Sequence, residues 1–128
     1  NKVITLNDNS KINYDKLILA PGIDFKYSNS YDIKKVPHAW IAGEQTTILK
    51  NQIESLQDGD TFIMSIPKSP YRCPPGPYER ACVVAHYLKY RKNLNVNIIV
   101  LDENSDVIVE KNTFKNRFNQ YGIDYRPN

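Results

Sequence analysis

The chain has 128 residues, of which 41% are hydrophobic and 24% charged, and it carries a net charge of +3. That length suits one domain with a real core and hardly two, and the composition is ordinary for a globular protein. The Lys and Arg residues are spread out, which argues against nucleic acid or anionic lipid as a partner, and no apolar stretch nears the roughly 20 residues of a membrane span. The two cysteines, Cys73 and Cys82, are too few for a disulfide framework or a zinc site. No basic-then-apolar leader opens the chain. It starts at Asn1 in what reads as the middle of a hairpin, so a piece of a longer protein is expected.

Val3-Ile4-Thr5-Leu6 and Lys11-Ile12-Asn13-Tyr14 flank the polar turn Asn7-Asp8-Asn9-Ser10 and predict a β-hairpin. Leu17-Ile18-Leu19-Ala20 is a continuous apolar run stopped by Pro21-Gly22, which predicts a strand buried on both faces. Residues 23–41 show no sustained period. Leu49, Ile53 and Leu56 then follow helical spacing from Glu44 until Asp58-Gly59, and Thr61 to Ile66 is a strand.

That strand runs into "PKSPYRCPPGPYER", where Pro70, Pro74, Pro75 and Pro77 make a stiff loop around Cys73. Pro77 is suited to open a helix, and Ala81, Val84, Ala85 and Leu88 continue it to Arg91 or Lys92. Basic residues gather in its last turn, where the helix dipole favours them. Val96 to Leu101 is a further strand. Phe114, Phe118 and Tyr121 mark a helix ended by Gly122, and Ile123 to Arg126 a last short strand. Helix and strand alternate from residue 44 onward, the pattern of a parallel sheet with crossover helices. The fold class is therefore α/β: a parallel-sheet, Rossmann-like domain with a short N-terminal hairpin and strand segment. Two regions are expected, 1–35 and 36–128.

Ligands of such sheets collect beyond the carboxyl ends of the strands, which is where residues 67–76 lie. A dinucleotide cradle there needs G-x-G-x-x-G, but Gly76 is the only glycine, and prolines remove the N–H donors. Asp102 stands where a ribose-binding acid would, a weak signal by itself. Cys73 suits the place better. Arg72 beside it and a helix N-terminus after it are surroundings that favour the nucleophilic thiolate, and rigid flanks would hold the sulfur in position. Glu79, in the first helical turn, is a candidate general acid or base. The plainer readings stay open: a packed thiol for Cys73, and a carboxylate placed only to favour the helix dipole for Glu79. Cys82 and His86 read as helix-packing residues, and His38 and Trp40 as fixing the start of the first helix. The nine tyrosines form no stacking row.

"RCPPGPYERA", "PHAWIAGEQT" and "YDKLILAPGIDF" together resemble the flavoprotein subunit of flavocytochrome c sulfide dehydrogenase. The likeness is clear from about Tyr14 to Arg91 and thinner from Asn93 to Asn128. It implies an FAD-dependent, disulfide-reductase-like flavoprotein whose N-terminal dinucleotide fold precedes this chain. Residues 1–35 would be the tail end of that FAD-binding domain. Ala20, Pro21 and Gly22 match a flavin-contacting stretch, and Tyr78 is placed at the cofactor by the same resemblance. The region 36–128 corresponds to a pyridine-nucleotide-like domain that has lost nucleotide binding. Cys73 matches one half of a redox-active disulfide, its partner lying downstream of Asn128, and Glu79 an acidic residue near it.

The implied chemistry is oxidation of hydrosulfide at the disulfide, with electrons passing through flavin to haem on a separate cytochrome c subunit. With no C-x-x-C-H in this chain, the haem belongs elsewhere. The resemblance also implies a periplasmic location, and little activity for so short a piece alone. Two alternatives are a sulfide:quinone oxidoreductase fragment and a non-catalytic domain that docks a partner protein.

Overall fold

The computed structural model describes residues 2–27 and 31–128. The chain divides into two compact units, residues 1–31 and 32–128. In the first, strands β1 (Val3–Thr5) and β2 (Lys11–Asn13) pair antiparallel, with Ile4 opposite Ile12. Asp8 closes the turn between them. Its carboxylate accepts the Ser10 backbone N–H at 2.9 Å and the Ser10 hydroxyl at 2.6 Å, while Asn9 takes a left-handed φ of 64°.

The strand expected at Leu17–Ala20 does not form. Ile18 is 89% and Leu19 80% exposed, in a segment without regular secondary structure or a partner strand among the described residues. An apolar run becomes a buried strand only where a neighbouring ladder satisfies its N–H and C=O groups. The irregular stretch expected over 23–41 includes residues 28–30, which lie outside the described residues.

The second unit follows the alternating order. Helix α1 (Glu44–Ser55) leads to β3 (Thr61–Ile66), α2 (Gly76–His86), β4 (Asn97–Asp102), α3 (Lys111–Tyr121) and β5 (Asp124–Pro127). The three strands form a parallel sheet in the order β3-β4-β5. Helix α2 starts one residue earlier than expected, at Gly76, with Pro77 in its first turn, where a missing N–H costs nothing. It continues as a π-helical turn, Tyr87–Arg91, whose wider hydrogen bond runs from Lys92 N–H to the Tyr87 carbonyl at 3.0 Å. Gly122 stops α3 at φ 70°, and the Ile123 N–H then reaches the Phe118 carbonyl at 2.9 Å. That is a glycine C-cap of the kind that closes helices before a strand.

Strand alternation sends Ile66, Ile98 and Val100 into one core with Tyr78, Ala81, Ala85 and Leu88 of the α2 segment and Phe114 and Phe118 of α3. The Tyr78 ring lies 5.3 Å from Phe114 and 6.3 Å from Phe118, centroid to centroid. On the other sheet face Ile63 and Leu101 stay exposed. No helix among the described residues is long and apolar enough to cross a membrane.

Two polar residues among those described are buried, Asp102 and Asn104. Asp102, 4% exposed, ends β4 facing the helices and accepts from the Tyr78 hydroxyl at 2.9 Å and the Tyr125 hydroxyl at 2.8 Å. Burial, with hydrogen bonding to that carboxylate, pushes both phenols far above the ordinary tyrosine range, so both remain donors. Replacing Asp102 by Ala orphans these buried donors, at about 1–3 kcal/mol each before relaxation. The expected loss in unfolding free energy is about 3 kcal/mol, read as a lowered midpoint in urea denaturation.

Candidate functional site

The proline loop, residues 67–75, leaves the carboxyl end of β3 and is fastened at its foot by the β4–α3 connection. Asn104 does most of the fastening. Its amide nitrogen donates to the Pro67 carbonyl at 3.1 Å, and its side-chain oxygen accepts the Ser69 N–H at 2.9 Å. Asp102 holds Asn104 in turn, accepting its backbone N–H at 2.9 Å and its side-chain amide at 2.7 Å. Glu103 adds a bond from the Lys68 N–H to its Oε2 at 2.8 Å. The Ser69–Pro70 peptide is cis.

Cys73 is exposed at the far end of this loop, in the left-handed region at φ 57°. Few non-glycine residues adopt that conformation, and its cost of order 1–3 kcal/mol persists only where surroundings enforce it. Here the Gly76 N–H donates to the Cys73 carbonyl at 2.9 Å, closing the turn directly into α2. A Cβ added to buried Gly76 would lie 3.3 Å from the Cys73 sulfur and 3.1 Å from the benzo edge of Trp40. Sulfur, indole and helix start therefore meet over a position where only glycine fits without displacement.

Trp40 comes from a second braced turn. The Arg80 guanidinium lies 3.6 Å from the Trp40 ring centroid, a cation–π stack. Arg80 also donates to the His38 carbonyl and, at 2.9 Å, to the Ala39 carbonyl, around an Ala39 held at φ 50°. The His38 N–H donates to Gln45 Oε1 at 2.9 Å, and His38 Nδ1 accepts the Trp40 N–H at 3.1 Å. Burial, reinforced by the Arg80 charge, keeps His38 below the ordinary histidine range, which preserves that acceptor.

The other residues singled out from sequence fall elsewhere. Tyr78 is fully buried, its hydroxyl on Asp102, so it has no exposed surface to present to a cofactor. Asp102 points into the core, so its carboxylate is committed there and does not face a ribose. Glu79 is exposed in the first turn of α2, without a hydrogen bond or ion pair to Cys73. Its charge is felt at half-buried Cys82, whose thiol is pushed up first by burial. Cys73 and Cys82 are both free thiols. Ala20, Pro21 and Gly22 belong to the other compact unit and are exposed. A Cβ on Gly22 would meet nothing within 4 Å.

A family model for the central region of the sulfide dehydrogenase (flavocytochrome c) flavoprotein chain matches residues 46–128. The chain belongs to that family. It is a family of flavoprotein oxidoreductase subunits, and its name pairs the flavoprotein with a cytochrome c. The matched range includes Cys73, Gly76, Tyr78, Glu79, Arg80 and Asn104, whereas Ala20–Gly22 and Trp40 precede it.

Sequence reasoning missed Asn104 and Arg80. A signal for Arg80 existed: it lies four residues after Gly76 and so shares its helix face. Asn104 carried none, because its contacts to the proline loop span 35 residues or more. Gly76→Ala gains at most about 1 kcal/mol of helix propensity, against about 1–3 kcal/mol for overpacking the ring and sulfur. A net loss of about 1 kcal/mol is expected, with a shifted fluorescence maximum for Trp40, the single tryptophan.

Proposed function

We propose that this chain is part of the flavoprotein subunit of a sulfide dehydrogenase, and that Cys73 is one half of its redox-active disulfide. The observation that carries the reading is exposed Cys73 on a left-handed turn braced at both ends. A core thiol needs no such presentation, and a strained residue held at a strand's carboxyl end is where function concentrates.

The partner sulfur comes from a cysteine beyond Asn128. Hydrosulfide attacks one sulfur of the pair. The new S–S bond leaves a persulfide there, the old one breaks, and its electron pair stays on the other sulfur as thiolate. Substrate is thereby oxidised by two electrons and the disulfide reduced by two. The loop's part is to hold the Cys73 sulfur still and accessible, which lowers the entropic cost of a linear attack. Glu79, exposed one turn into α2, takes the persulfide proton.

Bound flavin supplies the two-electron acceptor chemistry, with Ala20, Pro21 and Gly22 as the open backbone that contacts it. A cytochrome c chain is the onward acceptor, and a periplasmic location follows from the family resemblance. In the full-length protein, Cys73→Ser should retain flavin absorbance while sulfide-dependent bleaching falls to the buffer background. Bleaching at an undiminished rate would remove Cys73 from the reaction.

A further inference from the structure

Cys73 is exposed, yet it is not open on every side. The benzo edge of Trp40 and the sulfur both crowd the empty Cβ position of Gly76, at 3.1 and 3.3 Å. Gly76 is buried beneath them. The ring edge and the sulfur thus share the surface of Gly76, at the start of α2. Trp40 itself is 47% exposed.

Arg80 packs against this ring. It lies one turn after Gly76 on α2, so its side chain rises along the same face. Its guanidinium covers one face of the indole while its N–H groups hold the His38 and Ala39 carbonyls, immediately before Trp40. A planar fork is suited to do both at once, and a lysine ammonium is not. The grip also enforces the left-handed backbone at Ala39, which is buried and would otherwise relax.

We infer that Arg80 is a positioning residue that holds Trp40 as a wall beside the Cys73 sulfur, so that small sulfur nucleophiles reach it and bulky ones do not. The use of this wall in sulfide oxidation rests on the function proposed above, but the wall itself does not.

The test uses the reduced full-length flavoprotein, reading modification of the Cys73 peptide by mass spectrometry. Wild type should react readily with iodoacetamide and poorly with a bulky aromatic maleimide. Arg80→Ala should raise the maleimide rate on the order of tenfold, equivalent to about 1.4 kcal/mol, with little change for iodoacetamide. Trp40→Ala should do the same with Arg80 intact, and Arg80→Lys should fall between. Adding Arg80→Ala to Trp40→Ala should bring no further change, because Arg80 acts through the ring.

Equal acceleration of both reagents, an unchanged ratio, or additive effects in the double variant would overturn the inference. If Arg80→Ala fails to retain flavin, Trp40→Ala and Arg80→Lys decide it by the same ratio. Sulfide bleaching by Cys73→Ser reports separately on the proposed reaction, so loss of that reading leaves the reagent ratio interpretable.

Discussion

A single buried carboxylate connects the core of the larger unit to its rim. Asp102 receives two phenol hydroxyls from inside the core and two N–H groups of Asn104 at the sheet edge. A charge this buried is tolerable only when donors surround it, and four do. Because the donors come from α2, β5 and the β4–α3 connection, the carboxylate fixes those elements against one another. It also sets Asn104, and Asn104 sets the foot of the proline loop. Asp102, a weak candidate for ribose binding by sequence, serves here as internal scaffolding.

Rigidity is passed outward from that point in steps. The loop's foot is held by side-chain bonds to backbone, its far end by the turn from Cys73 into Gly76, and its flank by the Trp40 ring under Arg80. Two residues in left-handed conformation, Cys73 and Ala39, mark the two turns that converge there. Each is costly alone. Each is kept by hydrogen bonds that a relaxed backbone would lose.

The hydrophobic period was legible from residue 44 onward, because every helix there repeats its apolar residues at helical spacing and the strands β3 and β4 are short and largely apolar. Boundaries moved by a residue at α2 and β4. The run Leu17–Leu19 failed by the same logic, since its pattern demands a neighbour that local sequence does not specify. Within the site, Cys73 stood out through its prolines, while Tyr78, placed at a cofactor by resemblance, and Asp102, a weak ribose signal, both face inward. Which way a side chain faces at a helix start or strand end depends on packing against elements far along the chain.

The amino-acid order by itself determined the alternation of helix and strand, the absence of a phosphate cradle and the placing of a cysteine on a stiff loop beyond a strand. These are matters of local period, glycine count and proline geometry. Only the tertiary structure decided that Asp102 lies buried under two tyrosines, that Asn104 ties down the loop and that Arg80 pins Trp40 beside the sulfur. Those contacts join residues 23 to 42 positions apart or act through such pairs. Their energies exist only once the sheet and helices have brought the partners within hydrogen-bonding distance.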